Sequence, residues 1–336
     1  MRILVTGGTG FTGKALTLRL IGDGHQVVVL DYKEGLRTGE LRQAGAEVLI
    51  GSVTDAGIVK RAVRDVEVVH HLAAAFRELN VPEEHYRQVN VDGTRNVLDA
   101  AVAAGVRRLV YCSTCGVHGD VKSSPANEDA PIAPADYYQR TKYMAEPIVT
   151  KYAEEARIET VTLRPAAIYG PGDLERFAMI YRQVAKGWFP MFGDGKAFYH
   201  PNYIDNLVDA FVLAQNADAA VSGRAYLIAD EEYLMTEDLV RRVAKAIDVD
   251  VSIRRFPLLP ARIAGHICEV VCRPIGISPP IFPRRVDWYR QNRAFSIDRA
   301  RSELGYIPRV SIDEGLWRTG EWYKREGIIP SGLAAA

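Results

Sequence analysis

A chain of 336 residues that is 48% hydrophobic and 25% charged has the composition of a folded globular protein and can bury one large core, or a domain and a half. Its 42 basic and 42 acidic residues cancel, which argues against a general nucleic-acid binder. No apolar run approaches the ~18 residues of a membrane span, and the N-terminus runs directly into an apolar strand, so no signal peptide is expected.

That first strand is the unbroken apolar run Ile3, Leu4 and Val5, which reads as buried on both faces. Gly7, Gly10 and Gly13 follow, with Phe11 and Thr12 in the last interval, and a helical apolar pattern opens at Ala15, Leu16, Leu18 and Leu20. A strand, a glycine turn and a helix start form a phosphate cradle. Glycine lets a diphosphate approach the backbone, and the helix N-terminus offers N–H groups and the positive end of its dipole. A second strand, His25 to Leu30, ends in Asp31, placed to bind an adenosine ribose. A carboxylate accepts from a ribose 2′-hydroxyl and repels a 2′-phosphate, so NAD is expected rather than NADP. Arg37, close by in sequence, works against that preference.

Strand signals recur at Val48–Ile50, Val66–Leu72, Arg108–Cys112 and Thr160–Arg164. Helical patterns recur at Thr12–Ile21, Ala56–Val63, Val91–Ala104 and Tyr138–Ala156. Repeated β-α-β units predict an α/β fold: a Rossmann-type doubly wound parallel sheet with ligands at the carboxyl ends of the strands. Beyond Arg164 the pattern loosens. Gly170 to Gly172 ends a strand, Gly187 to Gly195 reads as a turn-rich loop, Ala210–Leu213 resumes a helix and Ala225–Ile228 a strand. From Thr236 helices dominate, broken by Pro257, Pro260, Pro274, Pro279, Pro280 and Pro283. The expected organisation is a cofactor domain over 1–170, completed by about 201–230, with a smaller, mostly helical substrate region in 171–200 and 231–336.

Tyr138 and Lys142 are four apart on a helical stretch and so share one face. Tyrosine, with a reference pKa of about 10, is a poor base near neutrality. A neighbouring ammonium favours the phenolate. Tyr137 points elsewhere. The pair gains meaning from Ser113-Thr114, hydroxyls at the end of the preceding strand. Cys112 and Cys115 form a C-x-x-C, and Cys268 and Cys272 are four apart. Zinc is conceivable from the number, but strand and apolar-helix settings favour buried thiols in a reducing cytoplasm, with no metal.

The G-x-x-G-x-x-G spacing and the chain length resemble the extended branch of the short-chain dehydrogenase/reductase superfamily, which includes the NAD-dependent epimerases and dehydratases. VYCSTCGVHG (Val110–Gly119) resembles its strand-end motif and puts the catalytic hydroxyl on Thr114, with Ser113 as the fallback. HLAAA (His71–Ala75) resembles its cofactor floor, VNVDGTRNVL (Val89–Leu98) its structural-asparagine helix, and LRPAAIYGPGD (Leu163–Asp173) its nicotinamide-side loop. The resemblance implies cofactor contacts from Leu72, Ala73, Ala74, Asn90, Ser113, Tyr138, Lys142, Pro165 and Ile168. It also implies Ser52 and Val53, although Ser52 stands where the family often has the aspartate that contacts adenine. The implied chemistry is hydride transfer: Tyr138 takes an alcohol proton, Thr114 holds the alcohol oxygen, and Lys142 lowers the tyrosine pKa and binds the nicotinamide ribose.

Two substrate branches compete. GDGK (Gly193–Lys196) with NYIDNLVDA (Asn202–Ala210), and the segments Arg255–Pro280 and Ser296–Pro308, resemble the 3β-hydroxysteroid and sterol-carboxylate dehydrogenases. Tyr199 and His200 stand where nucleotide-sugar epimerases commonly carry a diphosphate-binding arginine. The substrate is thus expected to be sterol-like, with a nucleotide sugar as the alternative. A non-catalytic NAD-binding protein is the third reading, disfavoured by the intact Thr114, Tyr138 and Lys142. Pro257, Leu258, Leu259, Ile263, Ile267, Val270 and Val271 mark an apolar helix flanked by arginines, read first as core packing and otherwise as a pocket wall or a peripheral membrane contact. Trp188, Phe189 and Phe192 read as a lid or as core. From Val251 to Arg309 eleven arginines face four acidic residues. A solvated face is the preferred reading, and attraction to an anionic group or membrane the other. In related proteins the helices matching Val91–Ala104 and Tyr138–Ala156 pair across a two-fold axis, which implies a homodimer.

Overall fold

A computed structural model describes residues 1–35, 37–76, 81–272, 286 and 288–330. Six strands and six helices alternate through the first half. The strands are β1 (Arg2–Thr6), β2 (Gln26–Asp31), β3 (Glu47–Ile50), β4 (Val68–His71), β5 (Arg108–Cys112) and β6 (Glu159–Pro165). The helices are α1 (Phe11–Gly22), α2 (Thr38–Gln43), α3 (Ala56–Ala62), α4 (Glu83–Arg87), α5 (Gly93–Ala103) and α6 (Tyr137–Glu154). The second half carries β7 (Ala167–Tyr169), α7 (Arg176–Val184), β8 (Trp188–Phe192), β9 (Phe198–Tyr199), β10 (Pro201–Tyr203) and α8 (Ile204–Asn216). There follow β11 (Arg224–Ile228), β12 (Leu234–Met235), α9 (Thr236–Ala246), β13 (Ser252–Phe256), α10 (Leu258–Cys272), α11 (Asp298–Leu304) and α12 (Ile312–Arg325).

Seven strands form one parallel sheet in the order β11-β6-β5-β4-β1-β2-β3. The order reverses between β1 and β4, where Val5 stands opposite both Val29 and His70. That switch point opens a crevice at the strands' carboxyl ends. Alternation sorts the side chains into two cores. Ile3, Val5, Val27, Val29 and Val68 pack on one face, and Leu4, Val28, Leu30 and Val69 on the other. A strand buried on both faces can contain no polar interruption, hence the unbroken Ile3–Val5 run.

The structure departs from the sequence reading at several places. Between Gly187 and Gly195 lies the strand β8, paired in parallel with β13. Glycines at both ends and Pro190 within make the segment look like a loop. In a two-stranded ribbon one edge of β8 faces no partner, so a proline is tolerated. β13 itself, and the short helix α2, went unread. Pro260 does not break a helix but sits in the first turn of α10, where the missing N–H costs nothing. Leu259, Ile263 and Ile267 of α10 are 66%, 53% and 60% exposed, against the expected core packing. Pro274, Pro279, Pro280 and Pro283 lie outside the described residues, as do the side chains of Val270, Val271 and Cys272. The helix expected from Val91 begins earlier: α4 leads through one π turn, Gln88–Asp92, into α5. Among the described residues no helix is long and apolar enough to cross a membrane.

Candidate active site

The crevice at the sheet's carboxyl edge opens into a cavity of about 1350 Å³. At its cofactor end the β1–α1 turn lies directly on the end of β4. Gly7 has φ +71°, and a Cβ there would stand 2.8 Å from the Ala73 nitrogen. A Cβ at Gly13 would stand 2.1 Å from the Gly7 carbonyl oxygen. Side chains at these positions would collide with the backbone of the turn and of the segment after β4, so only glycine allows the tight turn, and its bare backbone fits a diphosphate. The N-terminus of α1 has no side-chain cap, which suits a site where an anion would do the capping.

Asp31, at the end of β2, accepts from the Thr9 N–H at 3.0 Å, the Thr9 hydroxyl at 2.7 Å and the Tyr32 N–H at 2.8 Å. Its carboxylate is thereby fixed on the cavity wall. Arg37 also reaches the cavity, but its guanidinium pairs with Glu326 at 2.8 Å and lies 5.5 Å from the Trp322 ring. Its charge is compensated, which leaves Asp31 to set the preference for an unphosphorylated ribose.

Apart from Asn90 and Lys142, every residue expected at the cofactor lines this one cavity, and Thr114 lines it as well. Thr114 begins the loop after β5, where its hydroxyl accepts from the Gly116 N–H at 3.1 Å. The neighbouring Ser113 is buried, and its hydroxyl donates to Glu146 at 2.5 Å. Both residues line the cavity, but the two hydroxyls differ in partner: that of Thr114 accepts from a backbone N–H and that of Ser113 is tied to a buried carboxylate. Tyr138 faces Phe76 at 4.7 Å between ring centroids, while Tyr137 turns toward Tyr86. Lys142 lies beneath the cavity wall, 1% exposed, with its ammonium 4.2 Å from the Tyr111 ring centroid. Burial pushes its pKa down to about 8, because a low-dielectric site disfavours the charged form.

Asn90 sits in the π turn between α4 and α5, a local widening that often marks a functional position. Its amide accepts from the Ala75 N–H at 2.8 Å and donates to the Ala75 carbonyl at 3.2 Å and to the Thr141 hydroxyl at 2.9 Å. Thr141 in turn donates to the Tyr138 carbonyl at 2.9 Å. A second line of bonds reaches Asn90 from β1. The Thr94 hydroxyl donates to the Asn90 carbonyl at 2.7 Å, so it accepts from Nε2–H of His71 at 3.0 Å. Nδ1 of His71 then accepts from the Thr6 hydroxyl at 2.7 Å, whose oxygen accepts from the Ala73 N–H at 3.2 Å. The pattern admits one neutral tautomer of His71, and burial pushes its pKa down to about 3.

Glu146 and Arg164 form a buried pair, Nη2 to Oε2 at 2.6 Å and Nε to Oε1 at 3.1 Å. Glu146 is four residues past Lys142 and eight past Tyr138, so the helix repeat could have revealed it. Nη1 of Arg164 donates to Nε2 of His118 at 3.1 Å, which leaves Nδ1–H of His118 to donate to the Ala130 carbonyl at 3.1 Å. Neither Thr94, Thr141 nor Arg164 carried a readable signal, since each also bonds a side chain distant in sequence: His71, Asn90 and Glu146 respectively.

The far end of the cavity is walled by Tyr199, Trp288 and Phe295, with His200 and Arg293. His200 accepts from the Phe295 N–H at 3.2 Å and donates to the Asp230 carbonyl at 2.8 Å. Burial pushes it down to about 4, so the ring is neutral. Cys112, Cys115 and Cys268 are not joined in disulfides. Cys112 is pushed up to about 11 by burial, and no metal-binding group of three occurs among the described residues.

A glycine turn with this clearance, on a sheet of this order and above a Thr–Tyr–Lys set, defines an NAD-dependent enzyme of the extended short-chain dehydrogenase/reductase kind. The model of the 3-beta hydroxysteroid dehydrogenase/isomerase family matches residues 4–258, and the chain belongs to that family. The 2-alkyl-3-oxoalkanoate reductase of Stenotrophomonas maltophilia is 34% identical over 95% of this chain and 98% of its own. The decarboxylating sterol-4-alpha-carboxylate 3-dehydrogenase of Saccharomyces cerevisiae is 34% identical over 95% of this chain and 97% of its own. Among solved structures, the UDP-glucose 4-epimerase of Thermotoga maritima superposes with a TM-score of 0.78 at 24% identity, covering 97% of this chain and 99% of that one. At that identity the likeness is one of fold.

Buried neutral histidines make stability depend on pH. His70 is pushed down to about 4, like His200, and His71 to about 3. All three are neutral in the folded state where the unfolded chain, near 6.5, already binds protons. Stability therefore falls as pH drops through 6.5 toward 4, by about 1.4 kcal/mol per histidine per pH unit. Asp230, pushed up to about 6 by burial, works in the opposite sense, as do Glu128 and Asp205, which burial also raises, while His118 adds a fourth histidine held low. Urea unfolding is expected to show a lower midpoint at pH 5 than at pH 7.5; equal midpoints would contradict the buried-neutral assignment.

Proposed function

We propose that this enzyme interconverts a secondary alcohol and a ketone on an apolar, sterol-like substrate, with Thr114, Tyr138 and Lys142 as its catalytic residues. What carries the reading is that one cavity is lined by the glycine turn and Asp31 and also by Thr114 and Tyr138. NAD, when bound, supplies the redox chemistry by accepting a hydride equivalent from the carbinol carbon or returning one to the ketone. The turn from Gly7 to Gly13 holds its diphosphate, and Asp31 its adenosine ribose.

Tyr138 removes the alcohol proton, or returns it in reduction. A phenol near its ordinary pKa does this poorly at neutral pH. Lys142, one helical turn on, favours the phenolate through its positive charge. The same burial that lowers the lysine's own pKa also removes water that would screen the pair. Thr114 orients the substrate oxygen; its hydroxyl accepts from the Gly116 N–H and can still donate to that oxygen. Glu146 keeps Ser113 out of competition for the same place.

The aromatic wall of Phe76, Tyr199, Trp288 and Phe295 suits an apolar molecule better than a sugar diphosphate. Both 34%-identical relatives have names that specify an acid, with the carboxylate on the carbon next to the one oxidised or reduced. The helices α5 and α6 pack on each other on one side of the sheet, and we place a homodimer interface on their outer face by analogy with related proteins.

Absorbance of reduced nicotinamide is expected to rise when NAD and a 3-hydroxysteroid or a 3-hydroxy acid are added. Interconversion of nucleotide sugars without net reduction would overturn the dehydrogenase reading. Tyr138→Phe is expected to lower turnover by about 10²–10⁴-fold while NAD binding, followed by nicotinamide-site fluorescence, is unchanged. A wild-type rate in that variant would remove Tyr138 from the mechanism. Light scattering at micromolar concentration should return twice the chain mass, and a monomer would rule out the interface.

A further inference from the structure

We propose that Arg293 is the carboxylate-recognition residue of the substrate site, so that the preferred substrates are 3-hydroxy or 3-oxo acids with the carboxylate on the carbon adjacent to the reacting one. The proposal rests on the dehydrogenase reading above and adds the substrate class.

Arg293 and Phe295 line the cavity, and the segment that carries them is pinned from both sides. The Asn292 N–H donates to Asp120 Oδ1 at 2.9 Å, and the Asn292 carbonyl accepts from the Val121 N–H at 2.9 Å. On the other flank the Arg293 N–H donates to the Phe198 carbonyl at 2.8 Å, and Asn292 Oδ1 accepts from the Phe198 N–H at 3.0 Å. Asp120 and Val121 follow closely on the loop that starts at Thr114. The backbone of Arg293 is therefore held in fixed relation to the loop that orients the substrate oxygen. Its side chain is steered too: Nη2 donates to Gln291 Oε1 at 2.7 Å, and Gln291 is itself 6% exposed.

The other lysines and arginines on the cavity wall, among the described residues, are Lys14, Lys33 and Arg37. All three belong to the loops and helix starts after β1 and β2, the cofactor end. Arg293 alone of the four lies beside the aromatic wall, two residues before Phe295 and bonded through its N–H to Phe198, the neighbour of Tyr199. A guanidinium offers a planar fork of N–H donors that matches a carboxylate in two parallel bonds. Against aromatic walls such a pair is screened less than in water. His200 does not serve this purpose, because both of its nitrogens are already engaged and its ring is neutral. An alcohol with an adjacent carboxylate thus presents two anchors, oxygen to Thr114 and carboxylate to Arg293.

The test uses the full chain with NAD and compares wild type, Arg293→Met and Arg293→Lys on a 2-alkyl-3-hydroxy acid and on its methyl ester. Arg293→Met is expected to lower kcat/KM for the acid by about 100-fold, mainly through KM, with the ester changed less than about threefold. Arg293→Lys, which keeps the charge and loses the fork, should recover part of the loss. Calorimetric binding of dodecanoate and dodecan-1-ol to the NAD-loaded protein gives a readout independent of turnover: dodecanoate alone should weaken in Arg293→Met. Equal losses on acid and ester would make Arg293 merely structural and overturn the proposal. So would a dependence on Arg293 of UDP binding but not of dodecanoate binding, which would mark a diphosphate site. Dodecanoate binding through Arg293 in a protein that oxidises neither compound would uphold the carboxylate site while the dehydrogenase reading fell.

Discussion

Thr6 stands one residue ahead of the glycine turn, and Tyr138 opens the helix that carries the proposed base; a continuous run of hydrogen bonds joins them. It passes through His71, Thr94, Asn90 and Thr141, and every donor in it has its acceptor. The direction of each bond is set by its neighbours, so the run has one arrangement. A buried polar network that is fully satisfied specifies geometry, because any displacement leaves a donor unmet. The cofactor turn and the helix of the base belong to different β-α units, and this network holds them in register. Asn90 can bridge to both Ala75 and Thr141 because the π turn presents its amide between the end of β4 and α6.

Electrostatics on the other flank of α6 follow the same logic with charges. Glu146 and Arg164 are both largely buried, and removing two ions from water is costly. The cost is offset by the paired geometry and by the remaining partners, since Ser113, His118 and the pair itself take up the carboxylate oxygens and guanidinium nitrogens. A neutral His118 is part of this arrangement: Arg164 can only donate, so the facing nitrogen must accept. Burial and the arginine's charge both hold the ring below its ordinary pKa. One consequence falls on the site: the Ser113 hydroxyl is engaged by Glu146, and the Thr114 hydroxyl is the strand-end group that keeps its proton available to donate.

Lys142 shows how burial and function meet in one group. The spacing from Tyr138 announces a shared helix face, yet the ammonium rests on the Tyr111 ring and does not line the cavity. An ammonium over an aromatic face retains part of the stabilisation it loses on leaving water, and desolvation still brings it toward neutrality. The apolar helix α10 shows the reverse case. Its hydropathy suggests interior packing, but Leu259, Ile263 and Ile267 point outward among the described residues. Hydrophobicity states what a helix face would gain by being covered, not what covers it.

What the amino-acid sequence by itself determined is local. The parallel sheet, the glycine turn, Asp31 and the Tyr138–Lys142 spacing are each legible because a strand, a turn and a helix, or two adjacent helical turns, are contiguous in the chain, and steric and periodic rules act over such short separations. Tertiary structure alone decided the pairing of β8 with β13 and the His71 and Asn90 network. It also decided the union of Glu146 with Arg164 and the lining of one cavity by both Thr114 and Arg293. Each of these joins groups far apart along the chain, through bonds whose partners carry no periodicity. Which distant residues meet is settled by how the layers pack, and packing is a property of the whole core rather than of any stretch within it.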